Sequence, residues 1–242
     1  MNVLTIDIGG TNVKMLATGQ ADRVKFPSGR DLTPHRMVAR VKELTADWAY
    51  DVISIGYPGR VVADRPVTEP RNLGHGWVGF DFAAAFGRPV RVINDAALQA
   101  LGGYQGGTML FLGLGTGLGS ALIVRGHIVP LDLGALSYRR TTIEGIVGRR
   151  GLDKLGKKKW RRAVAMVVNR FVSALLLDDV VIGGGNAKEL KSLDGLPAHC
   201  RLGSNAHAFV GGERLWESPR ARRGHAQPVR PGANQEPTIP RH

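Results

Sequence analysis

Two segments of the chain follow one pattern, in which an apolar strand, a glycine-rich turn and a second apolar strand come in succession. In the first, apolar residues alternate over 3–8 and 13–17, and the glycines between them permit positive φ. In the second, strands predicted over 109–114 and 120–125 bracket another glycine-rich turn. Because the two halves begin alike, the sequence predicts a duplicated α/β lobe with a ligand between the copies.

The rest of the chain supplies helices and further strands. The predicted helices cover 34–49, 81–86, 96–101, 158–177 and 205–216, and the predicted strands cover 52–56, 90–93 and 180–182. We predict an N-terminal lobe over 1–105 and a C-terminal lobe over 106–216, whose last helix could pack back on the first lobe. Residues 217–242 are rich in Pro and Arg without an apolar period, so we expect a disordered tail there.

Composition excludes several classes of protein. No apolar run approaches the ~18 residues of a membrane span and no basic leader precedes the first strand, so we expect a cytoplasmic protein without a membrane partner. Cys200 is the single cysteine, which excludes a disulfide framework and a cysteine-rich zinc site. The formal charge of +13 favours an anionic partner, which could be nucleic acid, an acidic membrane or a polyphosphorylated ligand.

The first glycine turn combines groups that can hold phosphate. Asp7, Gly9, Gly10, Thr11 and Lys14 lie within eight residues. The glycines let backbone N–H groups approach an anion, Thr11 adds a donor, Lys14 adds positive charge, and Asp7 can hold the waters of a Mg²⁺ ion. Lys14 lies in a strand rather than ahead of a helix, so this is not a Walker A loop. The alternative is an ordinary glycine hairpin.

Two further glycine turns follow apolar strands. Gly115, Thr116 and Gly117 lie in a run of four alternating glycines, each of which costs about 0.5–1 kcal/mol against alanine, so a purely structural turn explains them poorly. The spacing and the following strand do not fit a dinucleotide fold, and a second phosphate turn with Thr116 as donor fits better. The third turn is either another close backbone approach or a simple strand-to-helix turn, and it consists of Gly183, Gly184 and Gly185.

Asn94 and Asp95 end a predicted strand, where side chains of an open α/β sheet project into the cleft. An aspartate there can accept a hydroxyl proton. It can also cap the helix that follows, and both roles are compatible. No His or Ser beside it makes a triad, and no HExxH segment is present, so neither nucleophilic nor zinc chemistry is predicted.

Taken together, these segments resemble the ROK family of sugar kinases, and especially its polyphosphate glucokinase branch. The resemblance covers roughly residues 2–216, and it is carried by IDIGGTNVK, SIGYPGRV, RNLGHGWVGFD, VINDAA, LFLGLGTGLGSALI, EGIVGRRGLDKLGKKKW, VVIGGGNAKEL and GSNAHAFVGGERLW. It implies an α/β fold of the two-lobed hexokinase/actin-like (ribonuclease H-like) type with a central cleft. The sugar would lie in the cleft and the phosphate donor over the glycine turns.

The resemblance also implies a role for each matching residue. Asp95 would be the general base that takes the proton of the sugar 6-hydroxyl, and the donor would be ATP or inorganic polyphosphate with Mg²⁺. The sugar, glucose or a related hexose, would be bound by Asn72, Asn94, Asp132 and Glu144. The phosphates would lie against Asp7, Gly9, Gly10, Thr11, Lys14, Gly115, Thr116, Gly117, Gly183, Gly184 and Gly185. No structural zinc is expected, and a homodimer is open because such kinases commonly dimerise.

The chain departs from the family pattern at Asp132 and Ala135, which replace the Glu and the His of a Glu-Leu-x-His segment that usually contacts sugar hydroxyls. Asp132 is shorter by one methylene group, and Ala135 offers no hydrogen bond. The alternatives are therefore an ATP-dependent kinase of another hexose or N-acetylhexosamine, or a catalytically weakened sugar-binding homologue. Repressors of the family need a DNA-binding region ahead of the first phosphate motif, which begins at Asp7 here, so no DNA partner is expected.

A strongly basic segment covers residues 149–162, where eight of fourteen residues are Lys or Arg. It is either a solvated helix face or a track for inorganic polyphosphate, a polyanion that would release counterions as nucleic acid does. Trp160 could pack into the core behind these charges.

Overall fold

The structure is a computed structural model, and it describes residues 1–204 and 206–223. Its first half contains seven strands, of which five form one sheet in the order β3-β2-β1-β4-β7 while β5 and β6 pair separately. The strands are β1 (Val3–Ile8), β2 (Asn12–Ala17), β3 (Val24–Pro27), β4 (Val52–Tyr57), β5 (Val61–Val62), β6 (Arg65–Pro66) and β7 (Val90–Asn94).

The second half repeats this arrangement in the order β10-β9-β8-β13-β14, with β11 and β12 as a separate pair. In each sheet the first three strands are antiparallel and the last two run parallel to the central one. The predicted repetition of the lobe is therefore observed. The strands are β8 (Thr108–Leu114), β9 (Leu118–Val124), β10 (His127–Leu131), β11 (Ser137–Tyr138), β12 (Thr141–Thr142), β13 (Asp179–Gly183) and β14 (Cys200–Leu202).

Helices connect and cover the sheets. They are α1 (Pro34–Leu44), α2 (Phe82–Phe86), α3 (Asp95–Gly103), α4 (Ile143–Val147), α5 (Arg149–Ala174), α6 (His207–Arg214) and α7 (Pro219–Arg223), with short 3₁₀ turns at Leu133–Ala135 and Ala187–Leu190. None of the helices in the described part of the chain combines the length and apolarity needed to cross a bilayer.

Two predicted helix ends differ from the structure by five residues or more. Helix α1 ends at Leu44 rather than at residue 49, because Thr45 leaves the helical region and donates its N–H to the Val41 carbonyl. Helix α5 begins at Arg149 rather than at residue 158, because Gly156, at φ 70°, joins two helical segments. That backbone conformation is easy for glycine and costly for other residues. The basic segment is thus helical on both sides of a kink.

The core is divided in the same way as the sheets. Helix α1 covers the first sheet, where every residue of β1 and β4 is buried. Helix α5 covers the second sheet with Trp160, which is fully buried and donates its indole N–H to the Val147 carbonyl at 2.8 Å. A third cluster surrounds α3 between the two sheets. The basic face of α5 is therefore backed by a packed aromatic ring.

The last helices fasten the two halves together. Helix α6 lies against the first sheet, where Thr5 and Ser54 donate hydroxyl hydrogen bonds to the carbonyls of Phe209 and Gly212, at 3.5 and 2.7 Å. Gly212 permits this contact, because a Cβ there would overlap the Thr5 side chain. The division into lobes at residue 105 stays a prediction.

The expectation of a disordered tail is not met at its start, where residues 219–223 form α7 and Arg222 is buried. The Arg222 guanidinium donates to the carbonyls of Arg214, Leu215 and Gly126. Composition indicated disorder because it cannot show that the carbonyl of Gly126, 96 positions away, and two carbonyls at the end of α6 converge on one arginine. The rest of the predicted tail, 224–242, lies outside the described residues, as does residue 205 at the predicted start of the last helix.

Candidate active site

Asp95 is the first residue of α3, directly after the end of β7. The helix is capped by Asn94, whose side-chain oxygen accepts the N–H groups of Ala96 and Ala97 at 3.0 and 3.3 Å. The Asn94 amide also donates to the Gly59 carbonyl. Asp95 Oδ1 accepts the Ala96 N–H at 2.9 Å. The capping role considered for Asp95 therefore belongs mainly to its neighbour, and Asp95 is a half-buried carboxylate at a helix N-terminus.

The start of α3 is wedged between the two sheets by glycines. A Cβ on Gly56, in the buried strand β4, would lie 3.4 Å from Asp95 Cα and 2.8 Å from Leu98 Cδ2. A Cβ on Gly119, in β9, would lie 2.8 Å from Ala96 Cβ. The first sheet and the second sheet thus each give up one side chain so that α3 can approach. Gly56 was not among the predicted site residues, although a glycine inside a buried strand is a signal of close backbone approach.

The electrostatics of the cleft centre on Asp95 and Asp7. Burial raises the pKa of Asp95 to about 7, the negative charge of Asp7 adds to that effect, and the Ala96 N–H opposes it. Burial also raises the pKa of Asp7, against the opposing charge of Lys14, whose Nζ lies 3.3 Å from Asp7 Oδ2. Two neighbouring carboxylates with different surroundings are typical of sites that move protons.

The first glycine turn is fixed from below and open at its tip. Asn12 accepts the Gly9 N–H, and Ser28 holds the turn through the Gly9 and Thr11 carbonyls at 2.7 and 3.0 Å. Gly10 and Thr11 are exposed. Asp7 and Lys14 are cross-strand neighbours beneath the tip. The structure therefore brings together all five residues predicted for this motif.

The second and third glycine turns form one continuous surface, because β8 and β13 are parallel neighbours. Asn186 connects them, with its side-chain amide on the Gly115 carbonyl at 2.7 Å and its N–H on the Leu114 carbonyl. The Arg149 N–H donates to the carbonyls of Gly115 and Thr116. Gly184 has φ 85° and lies against the Leu114 backbone. The predicted residues 115–117 and 183–185 are thus adjacent, and the second turn also rests against the start of α5.

The residues predicted to bind sugar come from both lobes. The side-chain amide of Asn72 lies over Gly10 of the first turn, 3.5 Å from where a Cβ on that glycine would be. Glu144, in α4, lies against Gly117 of the second turn. The guanidinium of Arg71 joins the two sides, with Nη1 2.9 Å from Glu144 Oε1. Arg71 was missed in the sequence, where its sole signal is its position beside Asn72.

Asp132 lies on the same side, since its negative charge helps raise the pKa of Arg71, although the contact with Glu144 is the larger cause. The sugar contact predicted for Asn94 stays a prediction, because its amide is engaged with the helix and with Gly59. Within residues 1–204 and 206–223, no group of three His, Cys, Asp or Glu side chains is suited to hold a metal ion.

Some cations of the basic segment form ion pairs, and others are exposed without one in the described part of the chain. Lys157 forms an ion pair with Glu189 at 2.8 Å, and Arg149 forms one with Asp153 at 2.9 Å. The exposed cations for which the described part of the chain shows no ion pair are Arg150, Lys154, Lys158, Lys159 and Arg162. A solvated face and an anion track both remain compatible with this arrangement.

Comparison with known proteins decides the family. The model of the ROK family matches residues 3–130, more than half of the 242 residues. The chain belongs to the ROK family. A relative named polyphosphate glucokinase, from Mycobacterium tuberculosis, is 27% identical over 210 residues, which cover 76% of this chain and 77% of the relative. A bifunctional enzyme NanE/NanK from Brucella melitensis is 30% identical over 141 residues, 52% of this chain and 27% of that protein.

A solved structure supports the same fold. The inorganic polyphosphate/ATP-glucomannokinase from Arthrobacter sp. strain KM superposes with a TM-score of 0.75 at 24% identity, over 87% of this chain and 96% of that one. The predicted ROK membership and the predicted kinase-like α/β fold are confirmed.

Proposed function

We propose that this ROK protein transfers the terminal phosphoryl group of inorganic polyphosphate or ATP to the 6-hydroxyl of glucose, with Asp95 as the general base. The observation that carries the proposal is the placement of Asp95 between two sheets, with a pKa raised to about 7 by burial and by the charge of Asp7, which lies in the strand that leads to the first glycine turn. A base is most effective when its pKa lies near the working pH. The names of the relatives support the substrate and the donors.

In the proposed reaction, Asp95 accepts the proton of the sugar 6-hydroxyl as its oxygen forms a bond to the terminal phosphorus. The bond from that phosphorus to the bridging oxygen breaks, and ADP or a polyphosphate shorter by one unit leaves. Lys14 and the backbone of Gly10 and Thr11 would face the transferred group, where positive charge and N–H dipoles offset the developing negative charge. The N-terminus of α3 favours the ionised form of Asp95 once the cleft has bound its substrates.

Mg²⁺ would neutralise charge on the donor phosphates. The fit is tested by Asp7, a carboxylate with 7% of its surface exposed that lies beside Lys14 in the strands next to the first turn. Oxygen ligands of this kind suit Mg²⁺, which retains several waters and binds one or two carboxylates along with substrate phosphates. Asp7 would be the residue that holds it.

The basic segment, residues 149–162, bears on the identity of the phosphoryl donor. Inorganic polyphosphate is a long anion, and its affinity for a row of cations should fall as salt rises. Lys158 and Lys159 are exposed and follow the kink at Gly156. Arg149, the first residue of α5, contacts the second glycine turn. The helix thus extends from the phosphate turns to an exposed basic surface. We favour polyphosphate as a donor on this ground.

The direct test is an assay of the purified chain with glucose and Mg²⁺ and with either ATP or polyphosphate as donor. Asp95→Asn, purified in parallel, serves as the matched control, because the glucose 6-phosphate that it forms sets an upper limit on the activity of contaminating kinases. Turnover by the wild type with either donor supports the proposal, and the ratio of kcat/KM assigns the donor. Glucose binding without turnover would identify a sugar-binding homologue, and the absence of both would reject glucose.

Another hexose or an N-acetylhexosamine is a second candidate substrate, favoured by the altered segment around the 3₁₀ turn. Asp132 and Ala135 are both exposed beside the cleft, and the histidine position offers no hydrogen bond. If glucose is the substrate, Asp132→Glu with Ala135→His should lower its KM several-fold, since one hydrogen bond contributes roughly 0.5–1.5 kcal/mol. A variant that binds glucose no better, while the wild type prefers another sugar, would assign the second candidate.

A further inference from the structure

The loop from Glu69 to Val78 carries Arg71 and Asn72 and is held rigidly. The Glu69 carboxylate accepts the N–H groups of Gly76, Trp77 and Val78 at 3.2 to 3.3 Å. A carboxylate that accepts several backbone N–H groups is a strong loop anchor. The loop is also fixed to a second segment, because Gly74 donates its N–H to the Leu32 carbonyl at 3.0 Å.

From this fixed loop, Arg71 extends across the cleft to the other lobe. Its Nη1 lies 2.9 Å from Oε1 of Glu144, and the second carboxylate oxygen of Glu144 lies where a side chain on Gly117 would be. Gly134 permits this packing, because a Cβ there would be 3.3 Å from Glu144 Cβ. Glu144 is thus held on one side by the second glycine turn and on the other by a cation from the first lobe.

The two partners differ in exposure, since the Arg71 side chain is 84% exposed and that of Glu144 is 26% exposed. An ion pair with one partner in solvent contributes little to folding. Its effect should fall on the orientation of the half-buried carboxylate, which keeps acceptor sites for a further donor because a carboxylate has about four. Arg71 also lies within the field of Asp132. The arginine therefore offsets the negative charge of the predicted sugar side from the opposite lobe.

We propose that Arg71 is a positioning residue that sets sugar affinity by holding Glu144 across the cleft. The proposal rests on the proposed function and on the sugar contact that the family resemblance implies for Glu144.

The test compares Arg71→Gln with Arg71→Lys in steady-state kinetics with glucose. We expect Arg71→Gln to raise the KM for glucose about fivefold with kcat within about twofold, the size of an exposed contact of about 1 kcal/mol. Arg71→Lys should recover part of the loss, and thermal stability should stay unchanged. Arg23→Gln is the matched control, because it removes the same charge from an exposed site between β2 and β3.

A cycle with Glu144→Gln sharpens the result. If Arg71 acts through Glu144, the double variant should have nearly the KM of Glu144→Gln alone. Additive effects would overturn the proposal, as would a KM for Arg71→Gln equal to that of the wild type.

A separate measurement distinguishes failure of the proposed function from failure of the role proposed for Arg71. If the wild type neither binds nor phosphorylates a sugar, the function is rejected and the pair is tested in the sugar-free protein by hydrogen exchange. Faster exchange of residues 141–147 in Arg71→Gln than in Arg23→Gln would then support the positioning role, and equal exchange would overturn it.

Discussion

The two lobes share one topology, but their glycine hairpins differ at the same register position. In the first hairpin the pair next to the last is Asp7 opposite Lys14, which form an ion pair. In the second hairpin the corresponding pair is Gly113 opposite Gly119. One copy therefore carries two charged side chains where the other carries none.

The physical reason lies in what packs against each hairpin. A Cβ on Gly119 would be 2.8 Å from Ala96 Cβ, and one on Gly113 would be 3.1 Å from the Phe111 ring. In the second hairpin Gly119 lacks a side chain where α3 approaches and Gly113 lacks one beside the Phe111 ring, whereas the first hairpin has charged groups suited to phosphate. Hairpins of the same topology can therefore differ in role, since the first holds two opposite charges and the second leaves space for the start of α3.

The largest expected effect comes from removing the carboxylate of Asp95, the first residue of α3. Asp95→Asn should lower kcat by at least about 10²-fold, because a positioned general base contributes about 10²–10⁴. The Asn94 cap remains, so the helix should still form. Steady-state kinetics on a variant with native circular dichroism checks this, and near-normal turnover would remove Asp95 from the mechanism.

The same variant should be more stable than the wild type at neutral pH. The folded-state pKa of Asp95, about 7, exceeds the ordinary value of 3.8, so the folded wild type binds the extra proton and loses stability as pH rises from about 4 to about 7. Asp95→Asn lacks this loss, and its advantage should reach on the order of 1–4 kcal/mol above pH 7. Urea unfolding of both proteins at several pH values measures it, and a difference independent of pH would contradict the raised pKa.

Filling the space in the second hairpin should damage both the fold and the site. Gly119→Ala inserts a methyl group against Ala96 and should lower the free energy of unfolding by about 1–3 kcal/mol, with a fall in kcat as Asp95 shifts. Gly115→Ala is the control for the free energy of unfolding, because no atom lies within 4 Å of its added Cβ. Equal losses in the two variants would show that glycine at position 119 serves the turn rather than the helix.

The smallest expected effect is on the KM for polyphosphate, and it comes from removing exposed positive charges of α5 in the second lobe. Lys158→Gln with Lys159→Gln should raise the KM for long polyphosphate a few-fold and flatten its dependence on salt by roughly one unit of log–log slope, with little change for ATP. Lys25→Gln with Lys42→Gln removes the same charge from the first lobe as a control. Equal losses with both donors would favour a solvated helix face.

Turns and strand ends that depend on neighbouring residues could be predicted from the residues alone. Alternation around Gly9 and Gly10 fixed the first hairpin, the Asn94–Asp95 step fixed the end of β7, and four glycines marked the second turn. These features depend on backbone freedom and apolar period, which are local properties. The ends of α1 and α5 were wrong because a cap at Thr45 and a kink at Gly156 compete with helical periodicity at close range.

Contacts between distant segments became visible only in the folded chain. It wedges α3 between Gly56 and Gly119, which raises the pKa of Asp95, and it joins Arg71 to Glu144 across 73 positions of the chain. It also buries Arg222 among three carbonyls, where composition indicated disorder. Each of these depends on the burial and charge that a side chain meets after folding, and a sequence pattern carries no record of which distant backbone will approach it.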